Sequence, residues 1–151
     1  MVSEASYKLP LNRQSVMEFL PHRDPMLFID EVLSVEATSI LARTHVDPNW
    51  PVFQGHFPNL PIMPGVLLIE TIAQAGSLIL NLKGAVAEGS FIGFSGVEQA
   101  KFRRVVKPND VMDIRVELTR ERRGFYKFEG KIDVENELAA EVKFAAAQMS
   151  L

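Results

Sequence analysis

The sequence predicts an α+β domain in which an antiparallel sheet wraps around one long central helix. Three observations predict it. The run Pro64–Leu82 is almost continuously apolar, with Glu70, Gln74 and Asn81 as interruptions. That pattern suits a buried helix better than a membrane span. Four long tracts fill the chain from about Ser90 to Met149, separated by short turn signals, as antiparallel neighbours require. Strand-like and helix-like segments do not alternate, which argues against a parallel βαβ arrangement.

Each element follows from local chemistry. Residues 13–20, RQSVMEFL, form a short amphipathic helix with Val16, Phe19 and Leu20 on one side, and Pro21 ends it. The turn PHRDP follows at 21–25. Met26–Val35 then reads as a strand, and Ser39–Val46 as a second, with Ile40, Ala42, Thr44 and Val46 in alternation. Asp47–Pro64 carries Pro48, Pro51, Pro58, Pro61 and Pro64 and reads as a long functional loop, its aromatics Trp50, Phe53 and Phe57 arguing for order. The long helix opens at Pro64 or Gly65, where proline's missing N–H costs nothing, and Gly84 lies near its end. The remaining strands are FIGFSGVEQAKF, DVMDIRVELTRERR, GFYKFEGKIDVEN and ELAAEVKFAAAQM, with turns at Pro108-Asn109-Asp110, Gly124 and Glu135–Glu137.

Length and composition bound the function. The 151 residues fit one domain, 1–151, with 47% hydrophobic and 23% charged residues, as in globular proteins. A net charge of −3 gives no basic field for nucleic acid. The absence of cysteine rules out disulfides, thiolate metal sites and a cysteine nucleophile. The start, MVSEASYKLPLNRQ, lacks the apolar segment of a secretory leader. Three histidines without paired spacing argue against a metal site, and no phosphate loop or GxSxG elbow occurs.

The candidate chemistry sits in FQGHFPNLPIMPGVLLIETIAQ, residues 53–74. His56 follows a glycine in a proline-stiffened loop. It either hydrogen-bonds its own loop or serves as a general base near neutral pH. Glu70 is flanked by Leu67, Leu68, Ile69, Ile72 and Ala73, with Gln74 on the same helical face. It is either a structural acid paired with an arginine such as Arg103 or Arg104, or a proton donor whose pKa burial raises. Gly65 is either a flexible helix start or a bare amide at a positive helix end, open to a ligand oxyanion. His22, in its turn, and His45, on a polar strand, read as structural. The KFRRVVK cluster, with Lys101, Arg103, Arg104 and Lys107, is either a solvated strand edge or a docking surface for an acidic carrier or a phosphate. Arg120, Arg122 and Arg123 form a second basic group near a turn.

Three segments resemble the beta-hydroxyacyl-acyl-carrier-protein dehydratases of the FabZ type: LPHRDPMLFIDEV at 20–32, GHFPNLPIMPGVLLIETIAQ at 55–74 and FSGVEQAKFRRVVKPND at 94–110. They match in order and spacing across nearly the whole chain, and the middle one is the most specific. The resemblance implies the hot-dog fold. It implies His56 and Glu70 as the catalytic pair, meeting across a dimer interface, and Gly65 as the amide for a thioester carbonyl. It implies Gln74 as support for the glutamate. The related dehydratase–isomerase type has aspartate where this chain has Glu70 and cysteine where it has Val66, so simple dehydration is expected. Asn59-Leu60, Phe91, Asp24 and Phe28 depart from the common pattern and bear on acyl length and pathway.

The expected reaction is syn dehydration of a (3R)-3-hydroxyacyl thioester on acyl-carrier protein, in fatty acid or related polyketide or polyene biosynthesis, without cofactor or metal. The acyl chain is expected along Phe57, Ile62, Met63 and Leu67, beside Val66. The setting expected is cytoplasmic, with a homodimer at least and a trimer of dimers left open. Two rivals stand beside it: a hot-dog thioesterase, and a non-catalytic acyl-carrier-binding partner on the same scaffold.

Overall fold

The computed structural model describes residues 7–150. The reading of the first residues as leader-free rests partly on positions 1–6, which lie outside that range. The elements are α1 (Arg13–Phe19), β1 (Glu31–Val35), β2 (Ser39–His45), a 3-10 turn at Pro51–Gln54, α2 (Gly65–Leu82), β3 (Ser90–Phe102), β4 (Val111–Arg122), β5 (Phe125–Val134) and β6 (Glu137–Ser150). The six strands form one antiparallel sheet in the order β1-β2-β4-β5-β6-β3. The α+β arrangement expected from the sequence is thus the one observed.

The sheet's inner face is built by period-2 alternation. Met112, Ile114, Val116 and Leu118 of β4 and Tyr126, Phe128, Ile132 and Val134 of β5 are all buried. They cover α2, whose Leu68, Ile72, Ala75, Leu78, Ile79 and Leu80 are buried in turn. By length and composition α2 is apolar enough to cross a membrane, but here the sheet encloses it. The helix seats closely because Gly130 of β5 lies under it. A Cβ at Gly130 would overlap Ile72 Cγ2.

The helix ends and turns follow capping rules. Asn12 caps α1 by accepting from the Ser15 amide at 2.9 Å. At the other end of α2, Gly84 has φ +70°, its N–H bonds Asn81 O at 3.1 Å, and Ala85 N–H bonds Leu80 O at 2.9 Å. These paired bonds are those of a Schellman cap. Two-residue turns with positive φ throughout, Arg123-Gly124 and Glu135-Asn136, join β4 to β5 and β5 to β6.

The expected strand Met26–Val35 is shorter than the sequence suggests, because residues 26–28 pair with side chains instead of a strand. The Phe28 N–H donates to Gln74 Oε1 at 2.9 Å, and Gln74 Nε2 donates to Met26 O at 2.7 Å. Thr44 Oγ1 donates to Phe28 O. The long loop is ordered, as its aromatics suggested, with Trp50 stacked on Phe53 and edge-on to Phe28.

The two edges of the sheet differ. On the β1 side Leu11 exchanges both backbone bonds with Val32, at 2.9 and 3.0 Å, which bridges that edge at one position. On the other side β3 has thirteen residues, pairs only with β6, and exposes Phe94, Val97 and Phe102.

Candidate active site

The loop before α2 positions His56. Its Nδ1 lies 2.9 Å from Ile62 O, and its backbone carbonyl accepts from the Ile62 amide at 3.0 Å. A carbonyl only accepts, so Nδ1 carries the proton and the Nε2 lone pair is free. The ring of Phe57 stacks on the imidazole, with centroids 4.2 Å apart. Phe57 is half exposed. The His56 side chain is therefore fixed as a base would need to be.

The start of α2 lies beside that loop. Leu67 and Leu68 amides both bond Pro64 O, at 3.0 and 3.2 Å, so by helix geometry the Gly65 and Val66 amides precede the first intrahelical bonds. A Cβ at Gly65 would come within 2.9 Å of the Phe102 ring, so any side chain there would push that half-exposed ring aside. A cavity of about 380 Å³ is lined by Ile62, Met63, Gly65, Phe102, Arg103 and Val105 among others. Met63 is buried, whereas Val66 is 71% exposed and lies outside this lining.

Glu70 occupies a second cavity further along the helix, of about 190 Å³, with Gln74, Phe91, Phe94 and Phe144 in its wall. Its Oε1 accepts from Gln74 Nε2 at 2.9 Å and lies 3.3 Å from His22 Nε2. The Gln74 amide orientation is fixed by its acceptance from Phe28. Oε2 of Glu70 has no partner among the described residues. Burial pushes the Glu70 carboxyl up, but the bonds from His22 and Gln74 and the His22 charge together outweigh it. The carboxyl therefore lies below its ordinary range. The expectation that burial would leave it raised is corrected on that ground.

The expected arginine partner for Glu70 is corrected too. Arg103 pairs with Glu141 at 3.2 Å, and Arg104 with Glu137 at 3.1 Å and Val134 O at 2.9 Å. Arg104 thereby holds the β5–β6 turn. Lys101 faces Glu141 across the β3–β6 ladder, and the Lys107 amide donates to Asp110. Sequence reasoning read His22 as structural and did not foresee its contact with Glu70. Nothing in the 48-residue spacing between them signals this contact. Only its place inside the LPHRDP segment pointed toward the site. His45 is exposed on β2. Among the described residues, no three His, Asp or Glu side chains are grouped to hold a metal.

Within one chain the candidates fall into two groups. His56, Phe57, Ile62, Met63 and Gly65 gather at the helix start, and His22, Glu70 and Gln74 at its middle. No hydrogen bond or ion pair joins His56 to Glu70 among the described residues. An ordered imidazole and a helical carboxyl, on a sheet wrapped around a helix, make a candidate acid–base site on a hot-dog scaffold.

Comparison with known proteins agrees. The FabA-like domain model matches residues 20–143. A 3-hydroxyacyl-[acyl-carrier-protein] dehydratase FabZ of Sodalis glossinidius is 42% identical over 140 residues, covering 91% of this chain and 93% of that protein. The FabZ of Pectobacterium atrosepticum is 43% identical with the same coverage. Among solved structures, the dehydratase heterocomplex ApeI:P from Xenorhabdus doucetiae gives a TM-score of 0.74 at 22% identity, covering 95% of this chain and 93% of that one. A thioesterase from Haemophilus influenzae gives 0.58 at 18% identity, covering 80% and 78%. At those identities the structures speak to fold alone. The chain belongs to the FabA-like family, and within it to the FabZ type.

Proposed function

We propose that this protein is a hydro-lyase that removes water from a (3R)-3-hydroxyacyl thioester on acyl-carrier protein, reversibly giving the trans-2-enoyl thioester for fatty acid biosynthesis. One observation carries the reaction: 3-hydroxyacyl-[acyl-carrier-protein] dehydratases align at 42–43% identity over nine-tenths of the chain. The geometry supplies the groups. His56 Nε2, free because Nδ1 is tied to Ile62, takes the C2 proton. The Gly65 amide and the positive end of α2 stabilise the enolate-like oxygen. Glu70 of a second chain, protonated or through a bound water, helps the C3 hydroxyl leave as water. The two-chain site is supported by the separation of the two groups within one chain and by the open, apolar β3 edge. The acyl chain runs along Phe57, Ile62 and Met63 toward the Glu70 cavity, where Phe91 lines the wall.

The carrier docks at the mouth beside Gly65, through Lys101, Arg103 and Lys107. Arg104 lines the same cavity but is largely engaged by the β5–β6 turn. The setting we propose is cytoplasmic; the enclosure of α2 inside the sheet supports only its reading as a core helix.

Enoyl-thioester absorbance and free thiol, followed together on 3-hydroxyacyl carrier substrates of several lengths, test the proposal. Enoyl product without thiol is expected, lost on the order of 100-fold or more in His56→Ala and in Glu70→Gln. Thiol release would replace the reading with a thioesterase. Carrier binding without either signal would leave a non-catalytic partner.

A further inference from the structure

We propose that Phe102 is the water-excluding residue that decides which reaction the helix-start site performs, keeping a bound thioester for dehydration and away from hydrolysis. This deepens the dehydration reading and rests on it.

The polar groups of the site do not make that choice. A free imidazole Nε2 and helix-start amides without intrahelical partners suit C2 deprotonation. They suit attack of water on the thioester carbon equally well. In that competing step His56 takes a proton from the water, and the water oxygen bonds to the carbonyl carbon. The C–S bond then breaks. The departing sulfur takes the proton back and leaves as free thiol, and the acyl group leaves as an acid. The two outcomes differ in whether a water can stand beside the carbonyl carbon. A side chain that fills that place sets the reaction.

Phe102 fills it. Its ring lies tip-first against Gly65. From the point where a Cβ would stand, Cζ is 2.9 Å away and Cε1 and Cε2 are each 3.1 Å away. The rest of the wall of this cavity of about 380 Å³ is aliphatic, from Ile62, Met63, Leu68, Val105 and Val106, or is occupied by Arg103 and Arg104. Those two guanidiniums are turned to Glu141 and Glu137. The aromatic ring is thus the bulk that stands over the amide.

The ring is fixed at its root and free at its tip. Phe102 is the last residue of β3, paired with Ala140. The next two amides, of Arg103 and Arg104, both bond Ala139 O, at 2.8 and 3.3 Å. The Met63 amide donates to Val106 O at 2.7 Å, which ties the loop carrying His56 to the segment carrying the ring. Phe102 is nevertheless 49% exposed, against 1% for Phe128 and 2% for Phe144 in the core. Such a ring can turn aside as an acyl group enters and settle over it, which a packed core ring cannot do.

Two substrates separate the reactions: a 3-hydroxyacyl carrier thioester, and a saturated acyl carrier thioester that has no hydroxyl to lose. The native protein should form enoyl product from the first and release thiol from neither. Phe102→Ala should release thiol from both, on the order of tenfold or more above native. Phe102→Leu, which keeps the place filled, should stay nearer native. Adding His56→Ala to Phe102→Ala should remove the release. Gly65→Ala leaves β3 untouched and pushes the ring aside, so it should release thiol too, and it decides the matter if Phe102→Ala does not fold. Native-level release from the folded variants would overturn the assignment while leaving dehydration standing, and so would release that survives the loss of His56. If sedimentation shows lost association without thiol release, Phe102 is a contact residue alone and the proposal fails. A native protein without enoyl product would sink the dehydration reading itself, and native thiol release from both substrates would sink the two together.

Discussion

At the residue scale, the site is an exercise in making single atoms available. His56 spends Nδ1 on the Ile62 carbonyl and keeps Nε2; Glu70 spends Oε1 on Gln74 and His22 and keeps Oε2. A stability consequence follows for Glu70. Its folded-state carboxyl titrates below the unfolded value, so its contribution is present above the ordinary carboxylate range and fades as pH falls through the folded value. Thermal melts from pH 7 down to 3 should therefore show a shallower acid loss for Glu70→Gln than for the native chain; parallel curves would contradict the assignment. His56 and Glu70 were legible in the sequence because each is a polar residue in conspicuously apolar or proline-stiffened company. The sign of the Glu70 shift was not, because it depends on donors from Gln74, one turn away, and His22, in a different element.

At the element scale, α2 is fixed by what lies beneath it. Gly130 admits Ile72, and Gly76 sits 3.2 Å in Cβ terms from the Phe128 ring. Gly130→Ala must displace either the strand or the helix. Such overpacking typically costs about 1–3 kcal/mol, so the melting temperature should drop by roughly 3–10 °C. Because the Gly65 amide and Glu70 ride on the same rod, kcat should fall further than binding of the carrier does. Unchanged melting would show that the seat is slack. The helix itself was readable from its apolar run, and the hairpins from their turn residues. The short β1 was not, since Met26–Phe28 look like a strand and are claimed by the Gln74 amide, a tertiary choice that periodicity does not carry.

At the scale of the whole molecule, the proposed site takes His56 from one chain and Glu70 from another. Mixing inactive His56→Ala chains with inactive Glu70→Gln chains, after dissociation and reassociation, should restore activity, because a hybrid pair holds one site with both groups native. Additive inactivity would place both groups of a site on one chain. Val97→Lys on the exposed β3 edge should shift the species seen in analytical ultracentrifugation toward monomer and remove activity with it; a charged lysine on an open edge blocks pairing. The cover that Leu11 lays on β1 gains a meaning from this. A sheet with two free margins can add copies without end. With the β1 margin bridged at Val32, the proposed union through β3 would use the margin that each partner leaves more open and be its own terminus. On the proposed pairing, the edge that joins two chains would also limit the assembly to a closed unit and keep it from growing into a fibre.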